Sequence, residues 1–127
     1  MPHKIGIVGT GGVAGIHAAI LAKDSRVKLH SFYDVEASLA QSMASRFGGH
    51  AAPTLEELLQ ECDAVFVCTP NTTHEEVASQ VLRAGKHLFC EKPFALTLES
   101  AERLRILSAR AGRIYQVGHN RRFAPVY

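Results

Sequence analysis

The sequence lacks the features that would place it in several large classes of protein. Its 127 residues contain no apolar run long enough to span a bilayer, and the N-terminal Met1–Lys4 leads directly into a predicted strand rather than into a secretion signal. The net charge is only +2 and no basic cluster is present, which argues against a nucleic-acid partner. We therefore expect a cytoplasmic protein that binds neither membranes nor nucleic acids.

Cysteine is also scarce, and the positions of the cysteines argue against disulfide bonds, metal binding and nucleophilic catalysis. The chain has three cysteines, an odd number, with no CxxC spacing. Cys68 and Cys90 lie within apolar runs, and Cys62 precedes one. We predict reduced thiols with a packing role rather than disulfides, metal ligands or nucleophiles, and we predict no metal site.

The residues that are present alternate between strand and helix patterns. Predicted strands cover 5–8, 27–33, 50–52, 64–68, 87–90 and 114–117, and predicted helices cover 13–23, 36–47, a short segment from 55, the stretch from Thr73 to Gly85, and 98–111. Thr54, Thr73 and Thr97 are predicted to cap the last three helices. Strands separated by helices indicate parallel βαβ units, so residues 1–127 are predicted to form one α/β domain with a doubly wound parallel sheet.

The strongest local signal follows the first predicted strand. The sequence Gly9-Thr10-Gly11-Gly12-Val13-Ala14 has the form G-x-G-x-x-A, in which the first glycine permits a tight turn, the second admits a pyrophosphate and the small alanine allows close packing. The free N–H groups and the dipole of the next helix would attract phosphates. The pattern predicts a dinucleotide site, with a purely structural turn as the alternative.

An acidic residue ends the second predicted strand. Asp34 follows Gly9 by 25 positions, where a carboxylate can accept hydrogen bonds from an adenosine ribose. A 2′-phosphate would meet like charge there, and no Arg or Lys occurs in 35–43 to neutralise it. We expect NAD rather than NADP, although Asp34 could instead be an ordinary solvated loop residue.

Two further segments follow predicted strand ends, where ligands of such sheets bind. They are Cys68-Thr69-Pro70-Asn71 with His74, and Cys90-Glu91-Lys92-Pro93. A lysine in this place can hold a substrate oxygen or assist proton transfer. On residue type alone, a solvated surface lysine is the commoner case.

These motifs together resemble a known family. The glycine turn, Asp63–Asn71 with His74, Ala84–His87, Glu91-Lys92-Pro93 and Asn120-Arg121-Arg122-Phe123 occur in the order found in the N-terminal half of the glucose-fructose oxidoreductase/inositol dehydrogenase (Gfo/Idh/MocA) family. The resemblance covers nearly the whole chain, and Glu-Lys-Pro is its most specific motif. It implies a Rossmann dinucleotide-binding fold.

The resemblance also implies roles for particular residues. Lys92 would be catalytic beside the nicotinamide, Glu91 would contact cofactor or substrate, and Pro93 would fix the backbone through a cis bond. Cofactor contacts are implied for Thr69, Pro70, Asn71, His74 and Asn120, in addition to the glycine turn and Asp34. His74 has an equal alternative as a structural hydrogen-bonding residue, whereas His17 and His119 are expected to be packing or surface residues.

The implied activity is hydride transfer between a nicotinamide and a secondary hydroxyl of a sugar, polyol or related substrate. Family members continue into a second domain that forms the substrate pocket, so we expect this chain alone to be inactive and the intact protein to be a homo-oligomer. Two alternatives remain open: a non-catalytic NAD-sensing module, and an NAD-dependent glycosidase of the same family.

Overall fold

The computed structural model describes residues 1–125, which form a six-stranded, wholly parallel sheet with helices on both faces. The strands are β1 (His3–Val8), β2 (Val27–Tyr33), β3 (His50–Ala51), β4 (Ala64–Val67), β5 (His87–Glu91) and β6 (Tyr115–Gly118). The helices are α1 (Gly12–Leu21), α2 (Ala37–Phe47), α3 (Leu55–Glu61), α4 (His74–Arg83) and α5 (Leu98–Ala111), with 3-10 turns at Asn71–Thr73 and Asn120–Phe123.

The strand order is β3-β2-β1-β4-β5-β6, so the chain moves outward from β1 in one direction and then returns to build the other half. This order is that of the Rossmann fold, and the predicted fold class is confirmed. The reversal lies between β1 and β4, which pair in parallel from Ile5 with Ala64 to Val8 with Val67. Ligands of open parallel sheets bind at the carboxyl ends of the strands beside such a reversal.

Alternate side chains of the strands supply two separate cores, one on each face. Along β4, Val65 and Val67 pack with residues of α3, α4 and α5, while Ala64 and Phe66 pack against the core that contains residues of α1 and α2. Because both faces are covered, the strands are apolar runs rather than alternating ones.

Among residues 1–125, no helix combines the length and apolar character needed to cross a membrane.

Two of the three predicted helix caps are present. Thr54 Oγ1 accepts a hydrogen bond from Glu57 N (3.2 Å), and Thr97 Oγ1 accepts one from Ser100 N (3.1 Å). The cap predicted at Thr73 is wrong, because a 3-10 turn precedes α4 and Thr73 already has helical dihedrals (φ −102°, ψ −5°). Its hydroxyl donates backwards to Thr69 Oγ1 or Pro70 O, each at 2.7 Å.

Candidate functional site

The glycine turn joins β1 to α1 beside the reversal in strand order. Gly9 has φ +85°, and a Cβ on it would lie 2.8 Å from backbone atoms of Cys68 and Thr69, so only glycine fits where the loops after β1 and β4 meet. Among residues 1–125, no atom outside Gly11 and its chain neighbours lies within 4 Å of the place where a Cβ on Gly11 would be. Ala14 is fully buried against the sheet. The turn is therefore closely packed at Gly9 and open at Gly11, and the helix that follows packs against the sheet at Ala14. We call the open space at Gly11 the cradle.

The cradle faces the N-terminus of α1, which can bind an anion. Gly11 precedes this helix without any side-chain cap, and its first turn contains no acidic residue. The N–H groups of the first turn therefore lack the usual side-chain acceptor, and the helix dipole adds positive potential there. These features fit the pyrophosphate of a dinucleotide.

Asp34 joins the end of β2 to this turn. Its Oδ2 accepts hydrogen bonds from Thr10 N (2.8 Å) and Thr10 Oγ1 (3.0 Å), and its Oδ1 accepts one from Glu36 N (2.9 Å). Burial, the largest single effect, would raise the pKa of this carboxyl, but the hydrogen bonds from Glu36 and Thr10 together outweigh it and hold the pKa below its usual value. Asp34 is therefore a fixed carboxylate rather than a freely solvated loop side chain.

A cavity of about 530 Å³ opens at the carboxyl ends of β4, β5 and β6, next to the N-terminal half of α1. It brings together six of the residues singled out in the sequence, namely Val13, Thr69, Asn71, Glu91, Lys92 and Asn120. Lys92 is exposed at the cavity, and the Lys92–Pro93 peptide bond is cis, as expected. We call this cavity the cleft. Its lining does not include Pro70 or His74.

His74 is placed differently from the cofactor contact implied by the resemblance. Its side chain is fully buried at the start of α4, with Nδ1 2.6 Å from Pro93 O and Nε2 2.9 Å from Thr69 O. A residue without exposed surface cannot line the cleft, so the direct contact expected for His74 is corrected to the structural alternative. His74 holds together the two loops that follow β4 and β5.

His17 and His119, both expected from the sequence to be packing or surface residues, line the cleft. His17 is held within the cleft by specific contacts. Its Nε2 contacts Glu91 Oε1, and its ring lies edge-on to Phe66 and Phe89, with centroids 5.4 and 5.1 Å away. The available signal was its spacing, because His17 follows Val13 by four residues and so shares its face of α1. The structure thus pairs an imidazole from α1 with the carboxylate of the Glu-Lys-Pro motif.

The cysteines of the site are not activated nucleophiles. Burial raises the pKa of the Cys68 thiol to about 12, with a further contribution from the charge of Glu91, and it raises that of Cys90 to about 12 for the same reasons. Burial also raises the pKa of Cys62. All three cysteines are free thiols, as expected, although Cys68 is only partly buried.

Comparison with known proteins agrees with this geometry. The chain is 36% identical over 120 residues to the glucose-6-phosphate 3-dehydrogenase of Bacillus subtilis (strain 168). The matched region covers 94% of this chain and 34% of that protein. Among solved structures, GenD2 from gentamicin A biosynthesis, in complex with NAD, has a TM-score of 0.94 at 34% identity, over 98% of this chain and 36% of that one.

A third similar protein was solved with the phosphorylated cofactor. The biliverdin reductase of Synechocystis sp. PCC 6803, in complex with biliverdin and NADP⁺, has a TM-score of 0.91 at 32% identity, over 99% of this chain and 40% of that one. The chain spans only about a third of the length of the curated relatives that it matches. For the glucose-6-phosphate 3-dehydrogenase the matched share is 34%. Residues 3–119 match the model described as the oxidoreductase family with an NAD-binding Rossmann fold, and the chain belongs to this family, Gfo/Idh/MocA.

Proposed function

We propose that the intact protein is a nicotinamide-dependent dehydrogenase that acts on a secondary hydroxyl of a sugar, polyol or related substrate, and that this chain binds its cofactor. One observation carries the proposal: the open cradle at Gly11 and the exposed Lys92 lie along the same carboxyl edge of the sheet. A dinucleotide held by the cradle would extend into the cleft. The similarity to a glucose-6-phosphate 3-dehydrogenase supports the substrate class.

In this proposal the residues of the cleft divide the work. A bound nicotinamide would accept or donate the hydride. The Lys92 ammonium would hold the substrate oxygen and favour loss of its proton, while Thr69, Asn71 and Asn120 would position the cofactor. Glu91, held by His17, would place a carboxylate at the floor of the cleft.

We further propose NAD rather than NADP as the cofactor. The fixed carboxylate of Asp34 would repel a 2′-phosphate by at most about 4 kcal/mol at 4 Å and an effective dielectric of 20, before screening. No basic residue follows within 35–43 to offset this repulsion. Arg46, the next basic residue, extends toward α1, where its Nη1 would lie 3.9 Å from a Cβ on Gly15.

The proposal includes a second domain, outside this chain, that binds the substrate. We expect this chain alone to bind NAD without dehydrogenase activity, because it would not orient the substrate. Orientation can contribute roughly 7 to 11 kcal/mol to lowering a barrier. We also propose that the intact protein is a homo-oligomer and that it is located in the cytoplasm. The free thiols support the location, because reduced cysteines are typical of that compartment.

The test is a pair of lysine variants in the full-length protein. Lys92→Ala is expected to lower kcat by about 10²- to 10⁴-fold with little change in NAD affinity, because Lys92 lines the cleft in which we place the nicotinamide. Lys86→Ala is the matched control, since Lys86 precedes the opposite, amino end of β5 and is expected to have no effect. Steady-state kinetics and calorimetric NAD titration measure both quantities.

Each alternative has its own outcome. A near-wild-type kcat in Lys92→Ala would remove Lys92 from catalysis, and a collapse of NAD binding would make it a cofactor anchor. NAD binding without turnover on any sugar or polyol would favour a sensing module. Turnover that never releases NADH would favour the glycosidase.

A further inference from the structure

A second cluster of polar side chains lies at the β3 edge of the sheet. It consists of His30 in β2, His50 at the start of β3 and Glu61 at the end of α3, which we call the His-His-Glu cluster. His30 precedes Asp34 by four residues, which is about 13 Å along an extended strand. The cluster is therefore separate from Asp34, none of its three residues lines the cleft, and the proposed function makes no use of it.

The three side chains point toward one another. Glu61 Oε2 lies 2.9 Å from His50 Nε2 and 3.5 Å from His30 Nε2, and one atom of each residue lies within 4.8 Å of the others. The two imidazole rings are nearly perpendicular, at 84°, with centroids 5.2 Å apart. Three residues that are far apart in the sequence thus converge at a single point.

One oxygen of the carboxylate at the centre of this cluster accepts no hydrogen bond, although the Glu61 side chain as a whole is 35% exposed. Glu61 Oε2 is buried and has no hydrogen-bond partner among residues 1–125. His50 Nε2 lies at ion-pair distance from this oxygen, but the contact is not a hydrogen bond. A buried carboxylate oxygen without a donor is costly, so this atom requires a partner.

From this geometry we propose that the His-His-Glu cluster is a binding site for a divalent transition metal ion, Zn²⁺. Two imidazoles and one carboxylate, with a fourth position for water, form a known zinc ligand set. Zn–N and Zn–O distances near 2.0 to 2.1 Å place tetrahedral ligand atoms about 3.3 Å apart, with the metal off the line between any two. The observed 2.9 and 3.5 Å from Glu61 Oε2 bracket this spacing, and the ligand atoms of the two imidazoles, which lie within 4.8 Å of each other, would reach it by side-chain rotation.

The ion would have a structural role. β3 has only two residues and is the edge strand on that side of the sheet, pairing with β2 through Ser31–His50 and Phe32–Ala51. A metal held by His30, His50 and Glu61 would tie this short strand to β2 and α3. The expectation of no metal site rests on the cysteines, and the three residues of this cluster, separated by 20 and 11 positions, show no motif spacing that would indicate one.

The test is a zinc titration of the metal-free, untagged chain. Calorimetry is expected to give one equivalent of Zn²⁺ per chain, and a hundredfold excess over Kd is expected to raise Tm by roughly 5 to 10 °C. His50→Gln is the main variant because His50 is exposed, and it is expected to weaken binding at least 10-fold while Tm in EDTA stays at the wild-type value. His3→Gln, an exposed histidine on β1, is the matched control and is expected to bind as wild type.

The alternative occupant is a proton shared between the imidazoles and Glu61. In that case wild-type protein would show no saturable zinc binding below about 100 µM, well above the range of structural zinc sites, and the proposal would be overturned. Binding that His50→Gln leaves intact would assign the ion to the thiols or to His17 and would overturn it equally. X-ray absorption at the zinc edge is expected to show only nitrogen and oxygen ligands, with the scattering pattern of two imidazoles, and a sulfur ligand would overturn the proposal.

Discussion

Alanine substitutions at Gly9 and at Gly11 of the turn are expected to have opposite effects on stability and on cofactor binding. In Gly9→Ala the new Cβ would sit 2.8 Å from the backbone of Cys68 and Thr69 at φ +85°. A non-glycine residue with left-handed dihedrals costs about 1 to 2 kcal/mol, and overpacking against atoms that cannot rotate away costs about 1 to 3 kcal/mol more. We expect the free energy of unfolding to fall by about 2 to 5 kcal/mol.

Gly11→Ala is expected to spare the fold and impair binding. Gly11 has φ −80°, which alanine tolerates, and no atom lies within 4 Å of the new Cβ. Replacing glycine at the start of a helix by alanine costs less than about 1 kcal/mol. The methyl group would occupy the cradle that we assign to the pyrophosphate, so we expect NAD affinity to fall at least 10-fold.

Urea denaturation and calorimetric NAD titration of both variants measure the two effects separately. Gly9→Ala with wild-type stability would show that the loops after β1 and β4 separate more easily than the structure implies. Gly11→Ala with wild-type NAD affinity would refute the position of the pyrophosphate.

Two further predictions concern Asp34 and His17. Asp34→Asn removes the negative charge but keeps an acceptor oxygen for Thr10, so the preference for NAD over NADP is expected to narrow; equal binding of both cofactors by the wild type would contradict the assignment. In the full-length protein His17→Gln is expected to lower kcat about 10-fold by releasing Glu91, and Glu91→Gln is expected to have a similar, non-additive effect. Additive losses in the double variant would show that the two residues act independently.

Much of the fold could be predicted from the sequence because its signals are local. The apolar runs, the glycine turn and the caps at Thr54 and Thr97 each depend on neighbouring residues. The cap at Thr73 could not be predicted in this way, because the 3-10 turn before it competes for the same residues. The predicted strand 114–117 begins one residue too early. Ile114 is apolar and so fits the strand pattern, but β6 begins at Tyr115.

The position of a site residue could be predicted from the sequence only where neighbouring residues form a motif at the end of a strand. The motif residues Thr69, Glu91 and Lys92 lie at or just after strand ends, so the topology places them in one cleft. The pairing of His17 with Glu91 joins residues 74 positions apart, and burial of His74 depends on carbonyls from two loops. Such contacts arise from tertiary packing, which no local pattern encodes.

The buried ring of His74 has a mechanical consequence for the cleft. Because its two nitrogens face the carbonyl oxygens of Thr69 and Pro93, the loops after β4 and β5 are linked through one rigid side chain. A displacement of either loop is transmitted to the other, so the two walls cannot adjust independently to a bulkier nicotinamide analogue. If the nicotinamide binds in the cleft as proposed, tolerance of such analogues would have to come from the other linings of the cleft, which are α1 and the residues in and after β6.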